Sequence, residues 1–147
     1  MGLFDERTGG LVTYWKSVSA ITALVGSADD ARIHPHMSAQ GAAAPRITYE
    51  RAATRSATHL RGHSGFRVSV VHVRCYGSTL ATADALAEAV KVNTQNQRGT
   101  WSGTTINHVF CSDGFDDEAF QRKPASDEKD FVVRLVLRIG HSEAGGT

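Results

Sequence analysis

Two cysteines in 147 residues are too few for a disulfide framework, and no CxxC pair suggests zinc. Cys75 and Cys111 sit inside apolar, strand-like runs and read as small buried hydrophobes of a chain made in a reducing cytoplasm. Neither sign of charge prevails: 16 Lys+Arg against 15 Asp+Glu leave a formal net charge of +1. That balance argues against a dedicated nucleic-acid binder, which draws its affinity from neutralising phosphates. It leaves room for DNA passing nearby, and it lets like subunits pack without strong repulsion. No run approaches the roughly 18 apolar residues of a membrane span, so no membrane partner is expected. The opening Met1-Gly2-Leu3-Phe4-Asp5-Glu6 lacks the basic region of a secretory signal. Glu6 stands where myristoylation needs Ser or Thr.

Catalytic and ligand-binding patterns are equally scarce. Seven histidines are present, but His34, His36, His59, His63, His72 and His108 form no HExxH or other ligand spacing. His72 and His108 lie in strand-like runs and read as buried partners of backbone groups. Gly62-His63-Ser64-Gly65-Phe66 resembles a G-x-S-x-G elbow only superficially. Phe66 takes the second glycine position, and a strand follows where the elbow needs a helix. Asp113, Asp116, Asp117 and Glu118 cluster without EF-hand spacing. They read as a solvated loop, a divalent-ion site or a subunit contact. There is no glycine-rich phosphate cradle, and no cofactor is expected.

What the chain does have is a regular alternation of patterns. Its apolar content of 41% and charged content of 21% suit one soluble globular domain over residues 1–147. Flexible ends are expected at about 1–9 and 141–147. Leu11, Trp15, Val18, Ile21 and Val25 recur at helical spacing over 11–25, with Gly26 as C-cap. Arg32-Ile33-His34-Pro35 is a short extended piece, and Arg46 to Arg51 alternates as a half-buried strand. Residues 52–65 read as an extended, basic hairpin loop. Phe66 to Tyr76 is the strongest strand, apolar on both faces, which suggests a central position or a sheet covered on both sides. Ser78 caps a helix whose stripe is Leu80, Ala83, Leu86, Ala87 and Val90. Thr105 to Cys111 is a strand, 115–130 a long loop or hairpin arm, and Phe131 to Gly140 a closing strand. The sum is α+β: an antiparallel β-sheet of about four to five strands with two α-helices packed on one face.

The order of these pieces carries a resemblance. Ala23-Leu24-Val25-Gly26 leads to Arg32-Ile33-His34-Pro35, then Ala44-Pro45-Arg46-Ile47-Thr48-Tyr49. A Gly62-containing turn follows, then Arg67-Val68-Ser69-Val70, Cys75-Tyr76-Gly77 and Ala83-Asp84-Ala85-Leu86-Ala87. This ordered set, over roughly residues 11–140, resembles the tail-completion (tail-terminator) family of long-tailed bacteriophages. The resemblance implies a non-enzymatic virion protein of the tail neck, made in the host cytoplasm. It implies a hexameric ring at the head-proximal end of the tail tube. Its partners would be the major tail tube protein and a head-completion (stopper) protein, with genomic DNA passing through without sequence-specific binding.

A ring needs two different complementary patches per subunit. The basic stretch with Arg55, His59, Arg61 and His63 and the acidic one with Asp113, Asp116, Asp117 and Glu118 are the candidates. Competing readings are a stopper or adaptor of the same neck, a small metal-dependent or serine hydrolase, and a nucleic-acid-binding module.

Overall fold

A computed structural model of the chain describes residues 3, 9–26, 31–35, 45–59, 62–113, 118–121 and 129–143. At 53–59, 62–65, 113, 118–121, 129–130 and 143 it describes the backbone alone. The elements are α1 Gly10–Ser17, α2 Ser19–Val25, β1 Ile33–Pro35, β2 Arg46–His59, β3 Gly62–Gly77, α3 Leu80–Thr94, β4 Gly99–Trp101, β5 Thr104–Asp113, β6 Glu118–Gln121 and β7 Lys129–Glu143. The strands join in one sheet, ordered β1-β2-β3-β7-β5-β4, with β6 also pairing to β7. The β1–β2 pair is parallel and the other pairs are antiparallel.

The α+β class is as expected, but the sheet has more than four to five strands and the helices number three among the described residues. The expected helix over 11–25 breaks at Val18, whose φ of −92° and ψ of 112° are extended. Ser17 Oγ donates to the Tyr14 carbonyl at 2.5 Å, a local bond that competes with helix continuation. Val18 is also β-branched, and so poorly suited to a helix interior. The apolar stripe survives the break, with Leu11, Trp15, Ile21 and Val25 fully buried. Gly26 (φ 92°) ends α2 as expected, its N–H returning to the Thr22 carbonyl at 2.9 Å.

Residues 52–65 are strand rather than loop. β2 and β3 pair out to His59↔Gly62, so that only the Leu60–Arg61 connection lies outside the described residues. Register shifts between Arg51 and Ala53 and between Ser56 and Thr58 interrupt the alternation by which a strand is recognised in sequence. β4 is a second addition. It folds back on β5 through Ser102 (φ 47°) and Gly103 (φ 86°), a two-residue turn with both central residues left-handed. Thr79, not Ser78, caps α3, its Oγ1 accepting from the Thr82 N–H at 3.1 Å. β7 continues past Gly140 to Glu143. Leu3, within the opening expected to be flexible, is buried and its carbonyl accepts from the Leu11 N–H.

The core lies on one face of the sheet. Ile47 and Tyr49 of β2, Val71, Val73 and Cys75 of β3, Leu135, Leu137 and Ile139 of β7, and Ile106, Val109 and Cys111 of β5 point into it. Leu11, Trp15, Ile21, Leu86 and Val90 cover them from the helices. Each such side chain contributes about 1.5–3 kcal/mol on burial. Polar bonds fix the lid: Trp15 Nε1 donates to Thr94 Oγ1 at 3.0 Å, the Tyr14 hydroxyl donates to the Asn93 carbonyl, and the Tyr14 and Trp101 rings stack 4.4 Å apart. Cys75 and Cys111 are buried thiols, as expected, and burial pushes the Cys75 pKa up.

Gly77 sets how closely α3 follows β3. A Cβ there would meet the backbone N of Ala83 at 2.5 Å and the carbonyl carbon of Thr82 at 2.9 Å. Backbone cannot yield as a side-chain tip can. Gly77→Ala should therefore cost about 1–3 kcal/mol, the usual cost of overpacking. Urea unfolding of the variant checks this, and an unchanged midpoint would refute the packing argument.

Candidate assembly surfaces

The described residues among those singled out in the sequence fall on β2, β3, β5 and β6. His59 on β2 and His63 on β3 lie near the tip of the β2–β3 hairpin, whereas Arg55 lies further in, opposite Val68 in a row that β7 also joins. Arg61 lies outside the described residues. β7 stops pairing with β3 at Phe66↔Ser142, so beyond that row β2 and β3 continue as a two-stranded ribbon. Such a ribbon is marginal by itself and presents backbone edges.

Asp113 ends β5 opposite Leu135, and Glu118 opens β6 opposite Val132. Asp116 and Asp117 lie outside the described residues. β5 and β6 thus form one row along β7, interrupted opposite Val133 and Arg134. On β3 this level corresponds to Val73 and Tyr76. From His63 to Tyr76 the separation is about 40 Å, at roughly 3.3 Å per residue. Arg55, level with Val68, is closer to the Asp113 row, at roughly 16 Å along the strands by the same rise, and β3 and β7 lie between β2 and β5 in the sheet order β2-β3-β7-β5.

The face opposite the helices forms a second surface, and among the described residues no helix packs on it. Cross-strand rows run Glu50–His72–Val136–Ser112, then Val70–Arg138–Phe110, then Val68–Gly140–His108. β3 is therefore a central strand covered by helices on one side. Phe110 is 49% exposed and Phe66 37%. The Phe66 ring lies over Gly140, where a Cβ would approach it to 3.1 Å.

Charge on this face is mostly basic. The Arg46 guanidinium sits 4.0 Å above the Tyr76 ring, and Arg74 pairs with Glu50 at 3.8 Å. His72 and His108 are exposed here, not buried as expected, because their phase puts them opposite the core. The register shift between Ile106 and His108 explains why Phe110 escaped the sequence reading. It turns both Ile106 and Val109 inward and leaves Phe110 out.

The third surface is a groove of about 570 Å³ between α3 and β7, lined by residues that include Asp84, Ala85, Glu88, Lys91, Val133 and Leu135. Asp84 and Glu88 stand one helical turn apart, on the same side of α3.

Ser69 Oγ and His141 Nε2 lie 2.8 Å apart. This is the serine–histidine contact a hydrolase would use, but both residues are buried inside the core face. A nucleophile must meet its substrate, and this pair instead satisfies two polar groups where water is excluded. Gly62 to Phe66 lies within β3, a strand rather than an elbow.

No family model matches the chain, and no curated protein does. Among solved structures, a chain from the virion of a native gene transfer agent particle shares its fold. The two superpose with a TM-score of 0.60 at 15% sequence identity, over 92% of this chain and 95% of that one.

Proposed function

We propose that this chain is a structural virion protein without enzymatic activity. It acts as a tail terminator, forming a hexameric ring at the head-proximal end of a phage tail tube. The ring stops tube polymerisation and offers a surface to the head-completion protein, and genomic DNA passes through it without sequence-specific recognition. The observation that carries this reading is the shared fold, end to end, with a component of a gene transfer agent virion. The ordered sequence pieces that resemble the tail-completion family support it independently. A stopper or adaptor role in the same neck is the alternative, separated by partner rather than by physics.

Ring closure requires head-to-tail contact between unlike patches. The hairpin bearing Arg55, His59, Arg61 and His63 and the region of Asp113, Asp116, Asp117 and Glu118 have opposite charge. In this reading they meet across the subunit boundary.

Electron microscopy of particles from a virus lacking this gene tests the function. Filled heads beside detached tails of irregular, overlong length are expected. Detached tails of normal length with leaking heads would indicate the stopper instead, and normal infectious particles would refute a structural role. Reversing charge at Arg55 and Arg61 together should abolish ring formation while leaving the fold intact by circular dichroism. Unchanged assembly would remove the hairpin from the contact.

A further inference from the structure

The open sheet face and the α3 groove lie on opposite sides of the same sheet. On the open face, Phe110 stands half exposed beside Arg138 in the row Val70–Arg138–Phe110. Half-buried Val70 and Val136 extend the apolar area around them. An exposed aromatic beside a cation, with apolar side chains further along the same face, is the composition of an interface anchor.

The groove has the complementary make-up. Ala81 and Ala85 keep it open, Val133 and Leu135 give it an apolar floor, and Asp84 and Glu88 stand at its rim. Lys91 also lines it, so its charged groups sum to a net negative charge. The sheet lies between knob and groove, so the two cannot meet within one subunit.

We propose that Phe110 and Arg138 of one copy seat in the α3 groove of the next copy. The phenyl ring lies on Val133 and Leu135, and the Arg138 guanidinium meets Asp84 and Glu88 at the rim. A patch that fits a pocket elsewhere on the same molecule makes a heterologous contact, which closes into a ring when the rotation permits. This inference rests on the ring reading and assigns it a lateral contact built wholly from described side chains.

Two single-site variants, Phe110→Cys and Ala85→Cys, test it by brief thiol cross-linking of the full chain. One of them carries a mass tag. The native thiols Cys75 and Cys111 are buried and react slowly. The mixture should give a mixed dimer at about ten times the yield of either variant alone, because neither site faces its own copy in a heterologous contact. A like-with-like dimer of Phe110→Cys as the main product overturns the proposal. So does a mixed yield no greater than that of an Arg98→Cys control.

Charge exchange supplies the second arm. Arg138→Glu and Glu88→Arg should each reduce association about tenfold in sedimentation, and the two together should restore it. Rings that tolerate both single reversals would overturn this contact and leave the terminator reading standing. A cross-linked pair that never closes into a ring would support the contact and count against the terminator.

Discussion

The antiparallel pairing of β3 with β7 underlies both faces of this molecule. Phe66 to Gly77 run beside Phe131 to Ser142, two segments more than fifty positions apart in the chain. One set of alternating residues, Val71, Val73, Leu135, Leu137 and Ile139, is dry and roofed by three helices. The other set, Val68, Val70, His72, Val136 and Arg138, looks away from them. A one-residue slip of this register would send the core to solvent. It would also break the rows that place Val70 beside Arg138 and Phe66 over Gly140. Stability and surface chemistry are thus set by the same ladder.

That ladder also explains how charge is distributed. The sheet's ends carry opposite signs in sequence, basic at the β2–β3 tip and acidic where β5 gives way to β6. Along the strands the offset runs from roughly 16 Å, between the rows of Arg55 and Asp113, to about 40 Å, between those of His63 and Glu118, at roughly 3.3 Å per residue. The near-neutral total thus covers a basic and an acidic stretch that are separate in the sequence. The buried Ser69–His141 bond has the opposite character, a polar contact enclosed by the same strands and serving the fold.

Much of the architecture was legible in the sequence because the periodicities were clean. The stripe Leu11, Trp15, Ile21 and Val25, the strand from Phe66 to Tyr76 and the closing strand from Phe131 all lie where their spacing put them. The departures have local causes. Ser17 and Val18 broke one helix into two, a side-chain bond winning over helix propensity. Shifts near Ala53 and Thr58 hid strand where alternation lapsed, and the shift near Ile106 hid which face of its strand each residue takes. β4 had a usable signal in the Ser102-Gly103 dipeptide, a hairpin turn passed over. The charged candidates Arg55 and Asp113 were legible by type, but their rows in the sheet, level with Val68 and Val73 of β3, depend on long-range register, which no local pattern carries. Phe110 was visible as an aromatic in a strand, and only the register shift turns it outward.

Counting copies on tail tubes tests the central claim most directly. Purified tubes would be incubated with the dye-labelled chain and imaged by single-molecule bleaching, with tube elongation followed in parallel. The account predicts six copies confined to one end of each tube and an arrest of elongation. Labels scattered along the tubes, or tubes that elongate past the labelled end, would contradict it.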